Sequence, residues 1–389
     1  MNLTPLRIGF VPLLDMAPIV VAHEFGFAGA EGLALELVRA PSWSSLRDML
    51  LWGQVDAAQM LAPVPVAMAL GLGGAVAQLD TLQVLSVNGD VVGLSQPLAE
   101  RLRAAGYTFD FTDAQHAAQM LATVAPGPLR IGVPFPFSTH VELVSYWLRD
   151  AALTYELCTI PPPRMAEALA AGEIDAFCVG EPWGSVAVEA GRGTLILPSR
   201  AIWAFAPEKV LAVRHEWVGE YPRETAGLMR AVWRAGRWLS APENRMTVSE
   251  ILARPEYVNA PAELLDRSLR GEMVISPRGE QRLVKGMICF HEGAASFPWR
   301  SQAAWFAARM AARYGLDPAQ SITAARATCR TDLYRQNLRA AGADLPGASE
   351  KLEGSLSDPT AVASERGQMI LAPDAFFDRR IFDLSTGEC

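Results

Sequence analysis

Leu6-Arg7-Ile8-Gly9 with Val11-Pro12 returns later in the chain as Leu129-Arg130-Ile131-Gly132-Val133-Pro134. Gly53-Gln54-Val55-Asp56-Ala57 likewise returns as Gly172-Glu173-Ile174-Asp175-Ala176. The two pairs keep their order and a similar separation, and the sequence between them has one grammar. A short β-rich run is followed by a helical stretch, Ala17 to Phe27 in the first copy and Val141 to Ala152 in the second. A second apolar run and an amphipathic helix follow (Ser44 to Leu51; Arg164 to Ala171), ending at the Gly-x-β-Asp-Ala strand. This is βαβαβ, twice.

Two similar α/β lobes in one chain imply a ligand cleft between them. The crossings are expected near Leu94 and Phe205. Lobe 1 would then be residues 1–94 plus 206–389, and lobe 2 residues 95–205. Val210-Leu211-Ala212-Val213 reads as the strand that returns the chain to lobe 1. From Arg223 onward the pattern is mostly helical, and Ser349 to Gln368, rich in Ser, Glu and Gly, reads as a loop or flexible segment.

The formal net charge is -8, and no run of like charges occurs in the 389 residues. A nucleic-acid-binding body needs clustered Lys and Arg, so the composition argues against one. A few donors in a cleft can still hold an anion whatever the global sum. The start shows no basic segment leading into an apolar one, so no signal peptide is read there. The most apolar run, Ala57 to Val76, is interrupted by Pro63 and Pro65 and does not read as a membrane span. Five widely spaced cysteines (158, 178, 289, 329, 389) fit a reduced, cytoplasmic protein.

Four positions stand out as donors. Trp43, in Pro41-Ser42-Trp43-Ser44, lies at a strand-to-helix turn and could project its indole N–H into the cleft, or could fill the core. Gln59 follows Asp56-Ala57-Ala58 at a strand end, where it contacts a ligand or the backbone. In Ser138-Thr139-His140-Val141-Glu142, Thr139 and Glu142 have the spacing of a capping box. His140 would then sit in the first helical turn, where free N–H groups favour an anion, or be an exposed residue beside a cap. Lys209 is one of only three lysines against thirty-one arginines. A compact point charge kept just before a strand suits a ligand site, although a solvated lysine reads the same way.

Enzyme signatures are missing: no phosphate loop, nucleophile elbow, zinc helix or dinucleotide fingerprint occurs. The histidines show no metal-ligand spacing, and no metal or cofactor is expected. Cys289-Phe290-His291 are neighbours in sequence only, and Cys178 in an apolar strand reads as buried and inert.

Ala40-Pro41-Ser42-Trp43 through Arg47-Asp48, Asp56-Ala57-Ala58-Gln59 and Ser138-Thr139-His140 resemble the nitrate- and bicarbonate-binding proteins of bacterial ABC importers. So do Val179-Gly180-Glu181-Pro182-Trp183, Pro207-Glu208-Lys209-Val210-Leu211, Tyr257-Val258-Asn259-Ala260-Pro261 and Ala295-Ser296-Phe297-Pro298-Trp299. The match runs from about residue 6 to 340 and resumes at Phe376-Phe377-Asp378. The resemblance implies a two-lobed type II periplasmic-binding-protein fold. It also implies an anion site lined by Trp43, Gln59, His140 and Lys209, with Gly180 and Glu181 nearby. Nitrate, an acceptor without a proton, suits such donors. In bicarbonate-binding relatives a glutamate takes the place of this lysine, so Lys209 favours nitrate or nitrite.

Importer-linked members carry a leader, and this chain begins at the fold; the loop before Gly367 also lacks the family's tail pattern. In this it resembles the cytoplasmic, NasS-like nitrate/nitrite sensors of assimilatory systems. Those hold an ANTAR-domain RNA-binding antiterminator, NasT-like, until the anion arrives. The alternative is the binding subunit of a nitrate importer with its leader removed. An enzyme on the same fold, like the thiamine-pyrimidine synthases, would carry a cysteine-rich motif absent here.

Overall fold

Arg7 and Arg130 explain why the motifs recur. The computed structural model describes residues 3–74 and 77–384; Met1, Val76 and Cys389 lie outside them. The first copy contributes β1 (Thr4–Phe10), β2 (Leu33–Arg39) and β3 (Ala57–Leu61), and is followed by β4 (Leu79–Asn88) and β5 (Asp90–Ser95). The second copy contributes β6 (Leu129–Val133), β7 (Tyr155–Thr159) and β8 (Ala176–Gly180), followed by β9 (Gly193–Pro198) and β10 (Pro207–Arg214). Arg7 N donates to Asp56 Oδ2 at 2.8 Å, and Asp56 N donates to Arg7 O at 2.8 Å. Arg130 and Asp175 repeat this exchange at 2.9 and 2.8 Å. The repeated Asp therefore fixes where the third strand joins the first. Gly53 and Gly172 precede it with φ of +69° and +66°, a left-handed turn that glycine adopts without steric penalty.

Helices Ala17–Glu24 and Trp43–Leu51 fill the first copy, and Thr139–Trp147 and Met165–Ala170 the second. The first is shorter than its apolar pattern because Gly26 turns left-handed at φ +72°.

Three short strands follow, β11 (Glu272–Val274), β12 (Gln281–Leu283) and β13 (Ile288–Cys289). The six-stranded sheet has the order β13-β4-β10-β3-β1-β2, and the five-stranded sheet β7-β6-β8-β5-β9. Each parallel trio is flanked by one antiparallel strand, β10 beside β3 and β5 beside β8. Each of these strands comes into its sheet from the other lobe. β5 lies wholly in the second sheet, pairing Asp90 with Gly180 through Leu94 with Ala176. The chain thus leaves the first sheet at Asn88-Gly89 rather than at Leu94. Both residues have positive φ, +60° and +102°. Val91, Val92 and Leu94 are then buried between β8 and β9, which an apolar run read without its Asn-Gly turn does not reveal.

After β10 the chain is largely helical, led by Pro222–Ser240, whose apolar stripe packs on the first lobe's core. Ser349 to Gln368 departs from the loop expected. It contains β14 (Thr360–Ser364), which pairs with β15 (Gly367–Leu371) as an antiparallel hairpin. Lys351 at its start is clamped between the buried Glu353 and Asp374. The Ser-, Glu- and Gly-rich residues before it concealed the hairpin, whose strands bury little: among their residues only Leu371 is buried. No helix among the described residues is long and apolar enough to cross a membrane.

A Cβ at Gly93 in β5 would lie 2.2 Å from Phe177 Cζ across the ladder. Gly93→Ala should lower stability by about 1–3 kcal/mol in urea unfolding, through overpacking. Adding Phe177→Leu should recover part of that loss. Additive destabilisation in the double variant would exclude this contact as the cause.

Candidate functional site

The turn after β1, the start of helix Trp43–Leu51, β3, β5, the start of helix Thr139–Trp147 and β10 converge between the lobes. They bring Trp43, Gln59, His140 and Lys209 into one cluster, each at most 1% exposed. Three carboxylates that the sequence reading did not single out join them: Asp15, Asp90 and Glu208.

Ser42 caps the first helix, accepting from Ser45 N at 3.2 Å, so Trp43 opens it and points inward. The second cap is Ser138, accepting from Val141 N at 3.3 Å, not Thr139 as the capping-box spacing suggested. Thr139 instead donates to Pro207 O at 2.9 Å, tying the helix start to β10. Glu142 is buried and pairs with Arg313, which removes it from any cap. His140 is then set in the first turn facing the cluster.

Lys209 lies within β10, not before it. Its ammonium meets Asp15 Oδ2 at 2.9 Å and the Glu208 carboxylate. It also lies 5.1 Å from the Trp43 ring centroid, a cation–π distance. Gln59 is fixed from both ends: Val11 N donates to its Oε1 at 2.9 Å, and its amide donates to Asp15. His140 Nε2 is 3.1 Å from Asp90 Oδ1, and Nδ1 is 3.5 Å from Glu208 Oε1. The Trp43 indole N–H is buried without a partner.

Burial opposes charge on His140, Lys209, Asp15 and Glu208. It would pull the His140 imidazole down, but Asp90 and Glu208 outweigh it and raise its pKa. Burial would likewise lower Lys209, and Asp15 followed by Glu208 push it above its ordinary value. Burial raises Asp15 despite Lys209, and raises Glu208 with help from Asp90. The cluster therefore contains three acids, two of them easier to protonate than usual, and two cations.

Gly180 and Glu181 are near but play other parts. A Cβ at Gly180 would lie 2.6 Å from Leu13 Cδ2 and 3.3 Å from Asp90 Oδ1, so only glycine lets the lobes meet there. The Glu181 backbone accepts from Leu14 N across the lobes at 2.9 Å. Its carboxylate turns away to Ser185 N (3.2 Å) and Ser268 Oγ (2.8 Å). Trp183 Nε1 adds a second link, donating to Pro12 O at 2.8 Å. The lobes are closed on the cluster.

This arrangement can grip a small polar ligand between donors and acceptors. Nucleophilic chemistry has no support: burial raises the Cys178 thiol well above its usual range. Burial also pushes the Cys289 thiol up to about 12 and His291 down to about 4, the reverse of an activated pair. Asp90, His140 and Glu208 place ligand-type atoms within 4.8 Å of one another. Histidine spacing could not show this because the three lie on separate elements. The Lys209 ammonium on Glu208 and a proton on His140 would both oppose a cation there.

Residues 1–253 match the profile of the NMT1-like family. The nitrate/nitrite binding protein NrtA of Synechococcus elongatus is 30% identical over 387 residues, covering 94% of this chain and 85% of that one. This chain belongs to the nitrate/bicarbonate substrate-binding family. It is also 34% identical, over 88% of its length, to the nitrate import ATP-binding protein NrtC of Synechocystis sp. PCC 6803. The chain spans only about half (51%) of that longer relative. The crystal structure of the periplasmic nitrate-binding protein NrtA from Synechocystis PCC 6803 superposes with a TM-score of 0.84 at 25% identity, covering 99% of this chain and 97% of that one. The ligand-binding component of an ABC-type import system from Staphylococcus aureus, at 15% identity and TM-score 0.65, shares the fold alone. The architecture is thus the two-lobed periplasmic-binding-protein fold, and the relatives that this chain covers along most of their own length are substrate-binding proteins rather than enzymes.

Burial raises the Glu181 carboxyl from 4.5 to about 6, Ser185 and Ser268 offsetting it only in part. The native state then holds this proton more tightly than the unfolded chain, so stability falls as pH rises from about 4.5 through 6. Glu181→Gln removes that dependence. Relative to the variant, the wild type should lose roughly 2 kcal/mol between pH 4 and 7.5 in urea unfolding. Parallel pH profiles would overturn this reading.

Proposed function

We propose that the chain binds nitrate or nitrite between its lobes and works as a cytoplasmic sensor. In this reading the anion-free form holds an ANTAR-domain RNA-binding antiterminator and releases it when the anion arrives. The observation that carries the anion reading is the gathering of four donor side chains in one buried cluster joined through Asp15 and Glu208. These are the Lys209 ammonium, the His140 imidazole, the Gln59 amide and the partnerless Trp43 N–H. The names of the relatives, nitrate/nitrite binding proteins above all, support it. The sensor step rests on the resemblance described from the sequence. An importer subunit remains the alternative role for the same site.

A second ligand is favoured by one feature. Asp90 and Glu208 are acceptors, which suit an O–H and hence bicarbonate, and other relatives are bicarbonate transport ATP-binding proteins. Calorimetric titration with nitrate, nitrite, bicarbonate and sulfate separates these readings. Nitrate and nitrite should bind, sulfate far more weakly; equal heats for nitrate and sulfate would sink the proposal. Lys209→Ala should weaken nitrate by about 1.5–3 kcal/mol, and the gentler Trp43→Phe by about 0.5–1.5 kcal/mol. Nitrate adds a negative charge beside carboxylates already raised by burial, so binding should take up protons. Nitrate affinity should therefore rise as pH falls, with heats that depend on the buffer. Gel filtration of the chain co-expressed with the antiterminator tests the sensor step. A complex unchanged in saturating nitrate would refute that step alone.

A further inference from the structure

Away from the cleft, the segments that join the lobes wall a cavity of about 370 Å³ with an unusual charge. Arg200, Arg245, Arg270 and Lys285 line it, against a single lining carboxylate, Glu292. In a chain of net charge -8, four cations around one cavity are not what a random surface provides. Arg270 is paired with Asp266 at 2.8 Å, outside the cavity wall. Among the described residues, no ion pair is formed by Arg200, Arg245 or Lys285. Arg200 is half-buried, and burial without a carboxylate pulls its guanidinium below the ordinary value. A second cavity of about 300 Å³ shares Arg200 and Lys285 in its lining.

The wall includes both lobe crossings. Asn88, at the first, donates through Nδ2 to Ala204 O at 3.0 Å in the second. It also reaches Gly286 O at 3.4 Å, beside Lys285. Ala206 N donates back to Asn88 Oδ1 at 3.2 Å. Lys285 thus stands beside a segment tied to the hinge and Arg200 just before the second crossing, while Arg245 and Arg270 reach the cavity from the helices Arg245–Leu252 and Ala262–Arg270, and Leu269 and Met287 supply an apolar side. The volume greatly exceeds what an inorganic monovalent anion needs and falls in the range of small-molecule sites.

We propose that this hinge cavity is a second anion site, selective for small multivalent anions such as phosphate esters or polycarboxylates. Its selectivity would be opposite to that of the cleft. Several separated cations reward a ligand with several charges, and a monovalent ion can satisfy only one of them. The inference stands independently of the identity of the cleft ligand.

Calorimetry on the full chain at fixed ionic strength, with pyrophosphate, citrate and AMP as probes and chloride as the monovalent control, tests it. At least one probe should bind saturably with one site per chain, and chloride should not compete at equal ionic strength. Arg200→Gln with Lys285→Gln should weaken that binding by roughly a hundredfold, about tenfold for each charge-assisted hydrogen bond removed. Arg245→Gln alone should weaken it by roughly tenfold, a check that does not rely on the double variant folding. Lys209→Ala, in the cleft, should leave probe affinity unchanged, which separates failure here from failure of the cleft reading. No saturable binding of any probe, or equal affinity in the Arg200/Lys285 variant, would overturn the proposal. Loss of binding in Lys209→Ala with retention in the hinge variants would do the same, placing the probe in the cleft.

Discussion

Lys209 carries a positive charge to a point that water does not reach, and an isolated ammonium there would be prohibitively unfavourable. Asp15 and Glu208 make it tolerable, and each is held in turn by something else. A bonded series runs from the Val11 backbone to the Gln59 amide, from Gln59 to Asp15, and from Asp15 to Lys209. His140 is held on the other side of Glu208 by Asp90. Five elements from both lobes must therefore be in register for the whole set of charges to be compensated. The geometry of the cleft follows from that requirement more than from the apolar packing around it.

Two cations facing three acids also explain why donors alone were an incomplete description. The pocket is close to electrical balance only when a carboxyl keeps its proton, and burial raises two of the three toward that state. A site built this way reads the proton content of its ligand as well as its charge. Nitrate and bicarbonate, nearly the same size, differ in that property.

Much of the fold was legible because the repeat is written in backbone-determining residues. Arg7 with Asp56 and Arg130 with Asp175 make the same exchange, and Gly53 and Gly172 the same turn. The lobe crossing was misplaced because β5 is as apolar as a continuation of β4, and only Asn88-Gly89 marks the change of sheet. The hairpin of β14 and β15 was hidden by the Ser-, Glu- and Gly-rich residues before it and by how little it buries. Trp43, Gln59, His140 and Lys209 could be named from residue type, position and resemblance. Asp15, Asp90 and Glu208 could not, since each is a single acid in an apolar setting. That setting was the available signal: Leu14-Asp15-Met16, Asp90 before Val91-Val92, and Glu208 at the head of the buried strand β10 all place a carboxylate where a solvated one does not belong.

The late return of β10 to the first sheet bears on how the chain is made. When a ribosome has delivered the first copy, its sheet still lacks the strand that must lie between β3 and β4, and β3 is left with an open edge. That strand emerges only after the entire second lobe. The second sheet is one continuous run, β5 to β9, but the first cannot finish by itself, and a cut at either crossing would leave its central strand β10 on the other fragment. The pairings that close the first sheet join residues far apart in sequence, an arrangement associated with slow folding and exposure to aggregation. The crossing that returns the chain to its first lobe thus leaves the β3 and β4 edges unpaired until residue 214 has emerged.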